Sequence, residues 1–172
     1  MLFGLFGKKE EEKEEYIIIR TAKIHTEYGT LHVEFFENDA PNTVENFCNL
    51  ALKGFYRNMI FHQVIPDTLV QTGCPKGDGT GSAGYFIKCE LGGGQQEHER
   101  GVLSMANCGR NTGSSQFFIC LDRNNTEAFN GNNTCFGKII EDDLEYLDKI
   151  EVGSKLLDIE IVINRVLKDK EE

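Results

Sequence analysis

At 172 residues the chain has the size of one domain with a proper core. Its net charge of -10, from 18 Lys and Arg against 28 Asp and Glu, excludes an electrostatic nucleic-acid binder, because phosphate contacts need clustered cations. The six cysteines (Cys48, Cys74, Cys89, Cys108, Cys120 and Cys135) form no C-x-x-C pair and have no histidine at zinc-ligand spacing, so free, mostly buried thiols in a reducing, cytoplasmic compartment are expected.

The first seven residues, Met1 to Gly7, are apolar but too short for a membrane span or the core of a signal peptide. Leu2 rules out N-myristoylation, which needs glycine there. No integral membrane segment is expected, and surface docking through Phe3 and Phe6 is the weaker alternative to a frayed end. Residues 8–15 are all Lys or Glu, a solvated run. Residues 1–15 are therefore expected to form a flexible charged tail, 16–168 the domain, and 169–172 a second tail.

From Tyr16 onward strand signals dominate. Ile17-Ile18-Ile19 is β-branched, and Leu31, Val33 and Phe35 alternate with His32 and Glu34. A helix follows, because Val44, Phe47, Cys48 and Ala51 share one helical face, with Pro41 suited to its first turn and Gly54 to the residue past its end. Residues 72–84 and 91–101 are glycine-rich loop, separated by a strand-like Tyr85–Glu90. A second helix is expected over about 141–150, its acidic start favoured by the helix dipole. Leu157, Ile159, Ile161 and Ile163 then alternate with polar residues in a last strand. First and last strands of this kind favour a mainly β fold closed into an antiparallel barrel, which leaves no exposed edge.

Isolated motifs carry little chemistry. Gly79-Thr-Gly81-Ser-Ala-Gly84 has dinucleotide-loop spacing, but no strand precedes it and no helix opens on it, so its glycines serve tight turns. His62 has no nucleophile or orienting carboxylate near it in sequence. In a strand it would face away from Phe61, Gln63 and Ile65. His25, His32 and His98 give no metal-ligand spacing. No cofactor and no metal are expected.

Several separated blocks occur in a telling order. After Pro41-Asn-Thr-Val-Glu-Asn-Phe47 come Phe61-His62-Gln63-Val64-Ile65-Pro66 and Val70-Gln71-Thr-Gly73. Next are Gly101-Val-Leu-Ser-Met-Ala-Asn107, Asn111-Thr112, Ser115-Gln-Phe-Phe-Ile119, Asn130-Gly131 and Cys135-Phe-Gly-Lys138. Over residues 20–166 the chain resembles the cyclophilin family of peptidyl-prolyl cis-trans isomerases. That resemblance implies an eight-stranded closed β-barrel capped by two α-helices, with a peptide groove on its outer face. It also implies isomerisation of Xaa-Pro bonds in proteins, with a proline-containing peptide or protein client as partner and a monomeric enzyme.

By the same resemblance, Gln71, Ala106, Asn107, Gln116 and Phe118 match the family's substrate-binding positions, and Phe61 is counted with them. Leu69 and Phe129 are conservative apolar changes. Other positions depart. The catalytic arginine falls on Gln63, the pocket phenylalanine on Thr68, the pocket histidine on Asn133, and the tryptophan that helps bind cyclosporin on Ala128. Gln63 keeps an N–H donor without the charge or the fork of a guanidinium. Thr68 removes apolar surface from the proline pocket. Weak isomerase activity and weak cyclosporin binding are therefore expected, with a catalytically silent module that binds extended or proline-containing segments as the alternative. Arg110 and Arg57 are candidates to replace the missing cation, Arg110 the better placed.

Overall fold

The structure is a computed structural model and describes residues 15–167. The expected tails, with Phe3 and Phe6, lie outside the described residues apart from Glu15. Nine strands form one mainly β, antiparallel sheet: β1 Tyr16–Thr26, β2 Gly29–Phe35, β3 Met59–Ile60, β4 Gln63–Ile65, β5 Leu69–Thr72, β6 Val102–Met105, β7 Phe117–Cys120, β8 Cys135–Ile139 and β9 Lys155–Leu167. Their order across the sheet is β3-β9-β1-β2-β8-β6-β7-β5-β4. The helices are α1 Pro41–Leu52 and a short α2 Arg123–Thr126, with 3-10 segments at Glu127–Phe129 and Glu141–Lys149.

The core lies on one face of the curved sheet. Phe47 of α1 stands at its centre, with ring centroids 5.2 Å from Phe117 and Phe136, 5.3 Å from Tyr56 and 5.8 Å from Phe35. Burying aromatic rings of this size dominates core energetics, and the edge-on pairs with Phe35 and Phe117 suit ring quadrupoles. The expected face of α1 is the buried one: Val44, Phe47, Cys48 and Ala51 are all inside. Pro41 opens the helix. Glu90 then accepts from the amides of Asn42 (3.1 Å) and Thr43 (2.8 Å), which have no carbonyl partner within the helix. At the other end Gly54, at φ +69°, donates to Ala51 while Phe55 donates to Leu50. That pair of bonds is a Schellman closure, which needs a left-handed residue.

The structure corrects four sequence expectations. The second helix is 3-10 over Glu141–Lys149, pinned to β2 where the buried Asp143 carboxylate accepts from the His32 amide (2.7 Å). Tyr85–Glu90 is not a strand: the Ile87 amide makes one bridge to Gly113, and the Cys89 and Glu90 amides bond the side chains of Asn111 and Thr134. The last strand does not alternate throughout. Its register shifts between His25 and Thr26, so Leu156 is buried and Leu157 turns outward, 41% exposed. Finally, residues 61 and 62 are not in a strand, and the expected shared face of Phe61 and Gln63 does not form. Phe61 is fully buried in the core while Gln63 is exposed, which removes Phe61 from the groove surface.

Candidate active site

Register lines up most of the expected groove. On the outer face Gln63 of β4 lies opposite Gln71 of β5, Gln71 opposite Phe118 of β7, and Phe118 opposite Ser104 of β6. Directly paired residues in a sheet point to the same side, so these four side chains form one row. β7 is buried on both faces, which is why Phe117-Phe118-Ile119-Cys120 reads as one unbroken apolar run. Its outward residues join Phe36, Leu69, Val102 and Cys135 in a second, smaller apolar cluster, with Ala106 and Phe129 packed against it. Phe118 and Phe129 meet at 5.1 Å between ring centroids. This cluster forms an apolar floor on the outer face of the sheet.

Beneath the floor lies His98, which sequence reasoning considered only as a metal ligand. It is buried, stacked on Phe118 at 5.9 Å and tilted against Phe129 at 5.8 Å. Its Nδ1 lies 2.7 Å from Asn130 Oδ1 and its Nε2 2.8 Å from Ser104 Oγ. Burial holds the imidazole below its usual pKa, only partly opposed by Asn130, so the ring is neutral. A lone histidine in a polar loop gave no pattern that could have flagged this.

An open cleft of about 340 Å3 continues from the floor, and Gln71, Ala106, Asn107 and Gln116 all line it. Its far wall is the Gly79–Ser82 loop, with exposed Phe86 beyond. The Gln116 amide joins the two walls. Its Nε2 donates to the carbonyls of Gly79 and Gly81, both at 2.8 Å, and its Oε1 accepts from Gln71 Nε2 at 3.0 Å. The glycine-rich loop is thus part of the site, although nothing in its spacing pointed to a groove. Cys74 anchors the same loop, its Sγ accepting from the Gly81 amide at 3.2 Å. Burial alone would push that thiol up, but amides of Gly81, Asp78, Lys76 and Gly79 outweigh it and pull the pKa down. His62 packs behind the loop with both ring nitrogens buried and without a well-formed hydrogen bond among the described residues, and burial lowers its pKa, only partly opposed by the neighbouring Gln116 side chain and the Asp78 charge.

The remaining expected residues border this site. Thr68 is half-buried in the turn after β4, its hydroxyl donating to the Pro66 carbonyl at 3.2 Å. Asn133 is buried, its Nδ2 donating to the Met105 carbonyl at 3.0 Å, so it braces the strand end that leads into Ala106 and Asn107. Asn107 Nδ2 donates to the Asn132 carbonyl at 3.0 Å. Ala128 is exposed. Of the two candidate replacement cations, Arg57 is held by Asp158 of β9 at 3.1 Å, and Arg110 is exposed in the turn after Asn107. Gln63 makes no side-chain hydrogen bond among the described residues, so its amide is free to donate.

A sequence model of the family described as cyclophilin type peptidyl-prolyl cis-trans isomerase/CLD matches residues 21–167. A peptidyl-prolyl cis-trans isomerase of Synechococcus elongatus is 46% identical over 142 residues, 82% of this chain and 95% of that protein. One from Helicobacter pylori is 45% identical over 148 residues, 84% and 86% of the two chains. Among solved structures, a cyclophilin type isomerase of Cryptosporidium parvum superposes with a TM-score of 0.70 at 32% identity, covering 89% of this chain and 99% of that one. The same protein in the presence of the dipeptide Ala-Pro gives 0.69 at 31% identity, with 87% and 99% covered.

Proposed function

Because the chain belongs to the cyclophilin family of peptidyl-prolyl cis-trans isomerases, its reaction is the isomerisation of Xaa-Pro bonds, and we propose that it does so weakly, with Gln63 as a neutral donor. The observation that carries this is the outward row Gln63, Gln71 and Phe118, with an unengaged amide at one end and an apolar floor at the other.

Amide resonance gives the Xaa-Pro bond a barrier of about 18–20 kcal/mol. At the top of that barrier the amide is twisted, conjugation is lost, and the prolyl nitrogen becomes pyramidal and basic. A group that bonds this nitrogen, and not the planar one, lowers the barrier by differential binding. No covalent step or cofactor is needed. In this scheme the floor of Leu69, Phe118 and Phe129 grips the ring, and Ala106 and Asn107 hold the flanking chain. Gln71 and Gln116 keep the cleft in shape, and Gln63 Nε2 donates to the nitrogen. The Ala-Pro dipeptide in the Cryptosporidium study fits a substrate of this class.

A preorganised donor contributes on the order of 10²–10³-fold in rate, and a neutral amide keeps only part of that. The Thr68 hydroxyl, turned onto Pro66, offers the pocket little apolar area. At about 25 cal/mol per Å2 the missing ring weakens proline binding by on the order of 1–2 kcal/mol. These same two residues favour the second reading, a module that binds without catalysis. A protease-coupled assay on an Xaa-Pro peptide separates them. Gln63→Leu, which keeps the size and removes the donor, should slow the enzyme by on the order of tenfold, and an unchanged rate would refute the donor role.

The proposal extends to barrel closure. The sheet's two edge strands, β3 and β4, are consecutive in the chain. Counting residues 59–65 as one bent strand turns nine strands into eight and joins the edges, as the barrel geometry of the family requires. Bonds from the Phe61 amide to Ser154 (2.9 Å) and from Thr72 Oγ1 to Ile60 (2.8 Å) support continuity there.

A further inference from the structure

The sheet carries a second exposed feature away from the groove. β2 accompanies β1 from Thr21 to Thr26, whereas Ile17–Arg20 pair with Ile163–Val166 of β9 alone. β2 turns away because it ends at Phe35 and the next amide, Phe36, bonds the Phe136 carbonyl. Arg20, held by Glu37 and Glu45, fills the gap at the root. Beyond it a two-stranded ribbon projects, and along Ile17–Ile19 the outer edge of β1 meets no other strand among the described residues.

The ribbon exposes isoleucine and valine on both faces, with Arg165 opposite Ile18 and Asn164 opposite Ile19 as the polar residues of its β9 strand. Ile18 is 72% exposed and Ile163 59%, with Ile17, Ile19 and Val166 each near two-fifths. In a chain of net charge -10, residues 16–20 and 161–167 contain no Asp or Glu. Natural edge strands are guarded by charge, proline or a bulge, and Ile17-Ile18-Ile19 has none of these. An isolated pair of strands is marginal in water, and a concentrated apolar surface of this kind marks an interface.

We propose that the occupant is a second copy of this chain. Its β1 pairs antiparallel with the first about a twofold axis at Ile18, giving a continuous four-stranded ribbon in the order β9-β1-β1-β9. With the axis there, Ile18 opposes its own copy and Ile17 opposes Ile19, so the three central pairs are apolar, and beyond them Tyr16 opposes Arg20, so no like charges meet. The outer edge of β9 suits the role less well, since Asp158, Glu160 and Arg165 lie along that strand. The chain's own first residues suit it less as well. Residues 8–15, which precede β1 in sequence, are Lys and Glu, and Leu-Phe-Gly-Leu-Phe-Gly repeats every three residues, against the two-residue period of a strand. Neither β1 nor the Ile163–Leu167 part of β9 pairs with the groove strands β4, β5 and β7 among the described residues, so the new pairing uses an edge that carries no groove residue. The proposal departs from the monomer that the family resemblance implies.

Sedimentation velocity on the full chain across a concentration series tests it. The expected result is a mass that rises from one protomer to two with concentration. Ile18→Lys, at a largely exposed position, should stay at one protomer with an unchanged melting temperature and unchanged isomerase rate. Hydrogen exchange at the Ile18 amide, which faces the open edge while those of Ile17 and Ile19 face β9, should slow as the parent protein is concentrated and should not do so in the variant. A single-protomer mass at every concentration would overturn the proposal. So would a dimer that survives Ile18→Lys undiminished, or one that disappears when residues 1–7 are removed.

Discussion

Replacing Gln116 by Glu probes the cleft with almost no change of shape. The Gln116 Nε2 group donates to two carbonyls, Gly79 and Gly81, each at 2.8 Å, while Oε1 accepts from Gln71. Gln116→Glu keeps the acceptor and puts a carboxylate oxygen against both carbonyls. Two hydrogen bonds are lost at roughly 0.5–1.5 kcal/mol each, and the buried side of the site adds repulsion. The site is half-open to water, so a total of about 1–3 kcal/mol is expected. That loss should fall on the Gly79–Ser82 loop first, raising KM for an Xaa-Pro peptide more than it lowers kcat. A protonated carboxyl can again donate to one carbonyl, so the penalty should shrink below the usual carboxylate range near pH 4. The assays are urea unfolding at pH 7 and pH 4 and the protease-coupled rate at pH 7. A variant as stable as the parent at pH 7, with an unchanged KM, would refute the role given to Gln116 as the tie between the walls.

Four further outcomes are expected. Thr68→Phe should restore apolar surface and lower KM about tenfold, corresponding to 1–2 kcal/mol of proline-ring burial, measured by steady-state kinetics; an unchanged KM would show that Thr68 does not border the ring. Gly73→Ala should destabilise by at least about 2 kcal/mol and lower the melting temperature by roughly 4–8 °C, because the glycine sits at φ +85° and an added Cβ would lie 2.4 Å from the Ser115 carbonyl. Ala128→Trp should tighten cyclosporin binding by about tenfold in calorimetry, as an exposed alanine becomes a large apolar contact. Finally, His62 and His98 both have lowered pKa values in the folded protein. The unfolded chain takes up their protons near pH 6.5 while the native state does not, so stability is full above that value and falls as the pH drops below it. Unfolding free energies that do not decrease between pH 7 and pH 5.5 would contradict the neutral, buried state of these rings.

Sequence patterning carried the framework well because it rests on local periodicity. The α1 face and its Pro41 and Gly54 ends follow from spacing and from what each backbone position tolerates. Patterning failed where tertiary contacts override alternation. Phe61 and Gln63 are two residues apart and would share a face in a regular strand, but the chain bends at residues 61–62, sending one into the core and the other outward. Tyr85–Glu90 has strand composition, yet its backbone bonds side chains instead of a ladder. The groove positions of Gln63, Gln71 and Phe118 were expected from family resemblance, while their alignment in one row and the bracing of its floor by His98 were not. That bracing depends on residues from three loops and strands, which no local pattern records.

The central claim, that a neutral amide at position 63 catalyses isomerisation from a groove that keeps Gln71, Ala106, Asn107, Gln116 and Phe118, is tested most directly by exchange NMR on a short Xaa-Pro peptide. The exchange rate with the parent protein should exceed the uncatalysed rate. With Gln63→Arg it should rise further, by on the order of 10–100-fold, as charge and fork geometry return to the donor. Exchange at the uncatalysed rate with the parent, or a Gln63→Arg protein no faster than the parent, would contradict the account.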